Sequence, residues 1–141
     1  SATQNLLANA DDMAGPGQNY YLRYGVATKK LSVISWDLNL ALTNNATASP
    51  DGSLSMGGGK GGNALKSRFL ASSVVKKLYD SPYQELYTQV IAGGTAQSML
   101  GTITASIPAS DALSAADIAA KSAVVGAFVD KRAAALKTAL A

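Results

Sequence analysis

The sequence predicts an all-α protein, a four-helix up-down-up-down bundle with a short N-terminal helix or arm and a long Gly-rich loop. Three observations predict it. Apolar residues recur at alternating spacings of four and three from Tyr20 to Ala41. A capping-box spacing at Ser114-Ala115-Ala116-Asp117 opens a long Ala-rich run toward Ala141. No β-alternation of useful length and no internal repeat is visible. With 141 residues the chain fits one domain, large enough to bury about 70% of its unfolded surface without staples. The reading divides it into an N-terminal arm at residues 1–17 and a helical bundle domain at residues 18–141.

The elements follow in order. Ala2 to Asp12 reads as a short helix that Gly15-Pro16-Gly17 interrupts. The long helix that follows carries Tyr20, Tyr24, Ala27, Leu31, Ile34, Leu38 and Ala41 on one stripe, with Leu22, Val26, Val33, Trp36 and Leu40 on a second side. Asn44 to Gly62 has no periodicity and is read as a surface loop. A second long helix is expected from about Asn63 to Tyr79, ended by Asp80-Ser81-Pro82, with Ser81 as N-cap and Pro82 as first residue of the next helix. That third helix is expected to kink at Gly93-Gly94, each glycine costing about 1 kcal/mol against Ala. A full break there, splitting one helix in two, is the alternative architecture. The last helix carries Ile118, Val125, Val129, Leu136 and Leu140 as its stripe.

Cysteine and histidine are both absent, which removes thiol nucleophiles, imidazole bases and zinc fingers together. The net charge of +3, from 12 basic and 9 acidic residues, is spread along the chain, which argues against nucleic acid as a partner. Glu85 is the single Glu, and no carboxylate pair suited to acid/base work stands out. The reading therefore expects no enzyme, no catalytic residue, no cofactor and no metal. No apolar stretch approaches the roughly 20 residues that span a bilayer. A start at Ser1 with no signal-like segment reads as a processed mature protein or a trimmed one.

Gly57, Gly59 and Gly62 match G-x-G-x-x-G, but the residues before them are polar loop where the dinucleotide motif needs a buried strand. Lys60 is followed by Gly61 where a phosphate loop needs Ser or Thr. Asn45-Ala46-Thr47 is a formal glycosylation sequon. Partner-binding candidates are Tyr20, Tyr21, Arg23, Lys29, Lys30, Lys76, Lys77 and Tyr83, because Tyr and Arg anchor interfaces and paired lysines steer toward acidic surfaces. Tyr24, Tyr79 and Tyr87 are read as pointing inward, and Tyr20, Tyr21, Arg23 and Tyr83 as exposed.

The order aromatic, Asp, Leu, Asn at Trp36-Asp37-Leu38-Asn39, within Lys30 to Asn39, resembles a bundle helix of the PsbQ-like extrinsic proteins of photosystem II. Tyr21-Leu22-Arg23-Tyr24 is similar to the same region in another register. The early helix and the glycine loop after it look closest to the divergent extrinsic subunit of diatoms. The resemblance implies a non-enzymatic subunit of the plastid thylakoid lumen, peripheral on the membrane through protein contacts and monomeric when free. It would bind photosystem II lumenal subunits and other extrinsic proteins, and support oxygen evolution by retaining ions. The rival reading is a self-assembling structural subunit, such as a helical viral coat or filament protein.

Overall fold

The computed structural model describes residues 2–13, 15, 19–54 and 64–141. Among these residues the fold is mixed α and β, with five α-helices and a two-stranded antiparallel sheet. The all-α four-helix bundle is thereby overturned.

The correction falls on the strongest periodic signal. Tyr20 to Ala41 is not a helix but a hairpin, β1 (Tyr20–Gly25) and β2 (Lys30–Ser35), followed by a short 3-10 turn at Leu38–Leu40. The register pairs Tyr20 with Ser35, Leu22 with Val33 and Tyr24 with Leu31. Tyr-Tyr-Leu-Arg-Tyr and Leu-Ser-Val-Ile are aromatic and β-branched runs that fit a pleated surface better than a helix. Between them the chain reverses through Val26 to Lys29, with Lys29 at φ 53° and its N–H on the Gly25 carbonyl at 2.6 Å. The apparent stripe arises because a four-residue connection changes the parity of the facing residues. Tyr20, Tyr24 and Leu31 share one face, whereas Ile34 belongs to the other.

The helices also depart from the expected boundaries. α1 is Ala2–Leu6. The expected helix from Asn63 to Tyr79 is divided into α2 (Ala64–Ala71) and α3 (Ser73–Leu86), with Ser72 capping α3 through Val75 N at 3.5 Å. Asp80-Ser81-Pro82 neither ends a helix nor starts one, since Pro82 lies inside α3. The N–H that proline lacks costs one helical bond, and anchors on both sides offset it: Tyr79 and Tyr83 are buried and their hydroxyls are bonded to Pro50 O and Asn5 Oδ1. A π-helical turn at Tyr87–Ala92 leads to a true break, where Gly94 adopts φ 76° before α4 (Thr95–Ser106). The helix is thus split at the glycines. α5 (Ala115–Ala139) starts from the Ser114–Asp117 capping box, with Asp117 N on Ser114 Oγ at 3.1 Å.

The core forms where Tyr79, Tyr83, Tyr87 and Ile91, four residues apart along α3 and the π turn, meet Val129 and Leu136 of α5 and Leu6 of α1. A smaller cluster unites Ala8, Ala10 and Leu54. The hairpin takes little part, because Leu22, Tyr24, Leu31 and Val33 remain exposed. No helix among the described residues is long and apolar enough to cross a membrane.

Candidate functional site

α1 and the turn after it are unusually polar for buried chain. Gln4, Asn5, Asn9 and Asp12 are each no more than 3% exposed. Burying such groups is unfavourable unless each finds a partner. Asn9 Nδ2 donates to Gln4 Oε1 at 2.9 Å, Gln4 Nε2 to Ser35 Oγ at 2.5 Å, and Asn5 Nδ2 to the Ser49 and Gly52 carbonyls, both at 3.3 Å. These bonds fasten the turn to the end of β2 and to the loop at residues 44–54. Gly15 closes the turn through its N–H to Asp12 O at 2.9 Å, and a Cβ there would run into the Ala10 carbonyl.

The hairpin register decides what faces the turn. Tyr20 and Ser35 close the ladder, and one step further Trp36 N–H donates to Asn19 O at 3.2 Å. Asn19 Nδ2 donates to Asp11 Oδ2 at 2.6 Å. Asp37 follows at once, exposed and in the left-handed conformation at φ 48°. Asn19 thus bonds Asp11 on one side and, through its carbonyl, the residue before Asp37 on the other, at the open end of the hairpin. Ala8 at φ 51° and Leu42 at φ 59° share the left-handed region, and Leu42 N–H bonds Leu7 O at 2.8 Å. Several non-glycine residues held in this sparsely populated conformation around one end of a fold are a mark of functional sites.

Two buried cations hold this end from behind. Arg132 is fully buried and donates to Leu6 O, to Asn5 O and Oδ1, to Ala46 O and Ala48 O, and to the Tyr83 hydroxyl. Burial lowers its pKa, while Tyr83 and Tyr79 oppose the shift. Lys66 Nζ donates to Gly52 O at 2.6 Å and lies 6.0 Å from the centre of the Tyr79 ring. Burial pushes its pKa down, and Asp51 and Asp12 pull it back up. Burial likewise raises the Tyr83 hydroxyl to about 12. Lys66 lines a small cavity with Gln4, Asn5, Asn9, Asp12 and Leu54.

The residues singled out from sequence scatter. Tyr21 is exposed and meets Trp36 edge-on at 5.8 Å, and Arg23, Lys29 and Lys30 are exposed on the hairpin, with Tyr20 half-buried. Tyr83, expected on the surface, is 1% exposed, because its place on the buried ladder of α3 puts it inside. Tyr24, expected inside, is exposed on the uncovered face of the sheet, whereas Tyr79 and Tyr87 are buried as expected. Lys76 is ion-paired with Asp51 at 3.1 Å and Asp80 at 2.7 Å, beside a groove of about 530 Å³. Lys77 is exposed. Asn45 of the sequon accepts from Thr47 N and Oγ1 in a tight turn. Gly57 to Gly62 and Lys60 lie outside the described residues. Sequence reading missed Arg132, Asn5, Asn19 and Lys66; the available signal was the place of Arg132 on the apolar stripe of α5, between Val129 and Leu136.

A family model described as CotH kinase protein matches residues 1–120. The chain belongs to the CotH kinase protein family. No curated protein and no solved structure matches it. The membership overturns the photosystem II resemblance and what followed from it: the extrinsic-subunit role, the lumenal partners and the plastid thylakoid location. The physical reason is plain in the structure. Trp36-Asp37-Leu38-Asn39, which carried the resemblance, is the exit from a β-strand into a 3-10 turn and not part of a bundle helix. Four residues of matching order did not establish the conformation around them.

Proposed function

We propose that this chain of the CotH kinase protein family performs phosphoryl transfer, with the open end of the hairpin as the place where a divalent cation and the phosphates of a nucleotide are held. The observation that carries the reading is the link at the hairpin end: Asn19 Nδ2 donates to Asp11 Oδ2 at 2.6 Å, and the Asn19 carbonyl receives the N–H of Trp36, the residue before Asp37. Protein kinases hold their magnesium ions with one Asp and one Asn, and an Asp of the catalytic loop serves the acceptor hydroxyl. Here an acidic turn, an Asn, a hairpin and a further Asp occur in that order.

The donors suit a hard cation, being carboxylate and amide oxygens. Among the described residues no three acidic side chains cluster as a metal cage. Magnesium does not ask for one, since one or two carboxylates, water and substrate phosphates usually complete its shell. When bound, the ion would neutralise charge on the transferred phosphoryl group. Asp37 would be its principal ligand and Asn19 the second, with the amide held in orientation by Asp11. Lys66 and Arg132 keep the surrounding main chain in place. An enzymatic role departs from the expectation of a non-catalytic chain, which rested on missing His and Cys; phosphoryl transfer needs neither.

Isothermal titration with MgATP tests the reading. The chain is expected to bind it only with the metal present, and Asp37→Asn to weaken binding by about tenfold or more. Absence of binding to MgATP and MgGTP at millimolar concentration would overturn it.

A further inference from the structure

Arg132 has an uncommon environment. Among the described residues its guanidinium meets carbonyl, amide and hydroxyl oxygens, and none of its hydrogen bonds goes to a carboxylate. A fully buried arginine is normally expected to have an acidic partner. What it has here is main chain from two separate stretches. Nε reaches Leu6 O at 3.1 Å and Nη2 reaches Asn5 O at 2.7 Å, both at the end of α1. Nη1 reaches Ala46 O at 3.1 Å and also Ala48 O, both in the loop after Asp37.

We propose that Arg132 is a positioning residue for the Asp37 end of the site, its planar fork coupling the loop that follows Asp37 to the end of α1 that leads into Asp11. The proposal rests on the phosphoryl-transfer reading for its consequence and on geometry alone for the coupling. Asp11 follows α1 by five residues, and the clamped carbonyls Ala46 and Ala48 follow Asp37 by nine and eleven. Neither acidic residue touches Arg132, so its effect is indirect. Two further bonds span the same gap: Leu42 N–H to Leu7 O at 2.8 Å, and Asn5 Nδ2 to Ser49 O. Asn5 is itself fixed by Arg132 and by the Tyr83 hydroxyl, at 3.0 and 2.8 Å.

Carbonyl acceptors make the clamp indifferent to the side chains of the loop it holds, so it sets where the backbone runs. Both hands of the fork are used at once, Nη1 on the loop and Nη2 on α1. A lysine keeps the charge but offers one compact donor group in place of that rigid fork. Arg132→Lys is therefore the informative variant.

Hydrogen exchange and MgATP titration on the full chain test the proposal. In Arg132→Lys, exchange is expected to rise together in residues 7–12 and 44–52, by about tenfold or more, while α4 keeps its protection. MgATP affinity is expected to fall about tenfold, and on an Asp37→Asn background the same change should cost nothing further, since both act on one ligand. Should Arg132→Lys fail to fold, Tyr83→Phe, which removes one contact to the guanidinium and one to Asn5, should give the same paired rise at smaller size. Independent responses of the two segments overturn the clamp. Unchanged MgATP affinity in a folded variant whose exchange has risen overturns the positioning role. A wild-type chain that binds no MgATP removes the phosphoryl-transfer reading instead, and the paired exchange then decides the clamp alone.

Discussion

Asn19 donates to Asp11 at 2.6 Å through its side chain while its carbonyl receives the Trp36 N–H at 3.2 Å. One residue thus ties the acidic turn after α1 to the strand that delivers Asp37. The arrangement separates two roles that would otherwise be confused. Asn19→Ala removes both the amide and its hold on Asp11, whereas Asp11→Asn keeps a partner of the same shape and removes the charge. Asn19→Ala should weaken Mg-dependent nucleotide binding about tenfold, as expected for loss of a charged hydrogen bond at about 1.5–3 kcal/mol. Asp11→Asn, which removes only the charge that orients the Asn19 amide, should weaken the same binding by less than Asn19→Ala does. Equal loss of binding in both variants would place Asp11 among the cation ligands.

Tyr83 supplies an alkaline limit. Burial raises its hydroxyl from 10.0 to about 12. Above pH 10 the unfolded chain loses this proton and the folded chain keeps it, so the stability that the neutral hydroxyl contributes is present below pH 10 and is lost as pH rises toward 12. Tyr79 shifts the same way, also through burial. Urea unfolding at pH 9, 10.5 and 11.5 should show a falling midpoint, with a shallower fall in Tyr83→Phe. At pH 8 the same variant should lose about 1–3 kcal/mol, because Asn5 Oδ1 and an Arg132 N–H each lose a buried partner.

Lys66 has the opposite slope below that limit. Its pKa is depressed, chiefly by burial, so between the depressed value and 10.5 the unfolded chain binds more protons than the folded one. Stability therefore rises with pH across that window, until the tyrosines begin to ionise in the unfolded state. Lys66→Met removes the titration, and its unfolding midpoint between pH 8 and pH 10 should be flatter than that of the wild type. A variant with the wild-type slope would assign the pH dependence elsewhere.

Much of the helical half was legible because its signals are local. Ser114 and Asp117 sit at capping spacing, and Gly93-Gly94 marked the weak point of its helix, although a kink was expected there and the break was the alternative. Tyr79 and Tyr87 were readable as core for the same reason. The hairpin was not, because a 3.5-residue recurrence in a segment with a four-residue turn imitates a helix, and the register that separates the two faces is a pairing between strands. The site was hidden for a related reason. Asp37 and Asn19 lie 18 residues apart in sequence, and only the hairpin brings Asn19 to the residue before Asp37. Arg132 falls on the apolar stripe of α5, three after Val129 and four before Leu136, but it stands more than 100 positions from Asn5 and Leu6, so nothing local names what it meets.

The capping box of α5 offers the cleanest test of the locally encoded part. Ser114 Oγ accepts from Asp117 N at 3.1 Å, and the Asp117 carboxylate accepts from Ser114 N at 3.2 Å. Ser114 bonds hold the Asp117 carboxyl below the usual carboxylate range. Its contribution is therefore present above the ordinary Asp value and is lost as pH falls through the depressed one. Ser114→Ala should cost about 1 kcal/mol near neutral pH, the usual worth of a serine cap. Because α5 carries Val129, Arg132 and Leu136 into the core, that loss should appear as a cooperative drop in the whole unfolding transition and not as fraying of one end. The difference between variant and wild type should shrink in acid, where Asp117 is protonated and the reciprocal half of the box is already weakened. Thermal unfolding followed by circular dichroism at pH 7 and in a series extended down to pH 1 reads both effects, and a difference that stays constant to the acid end would mean that the carboxylate takes no part in the cap.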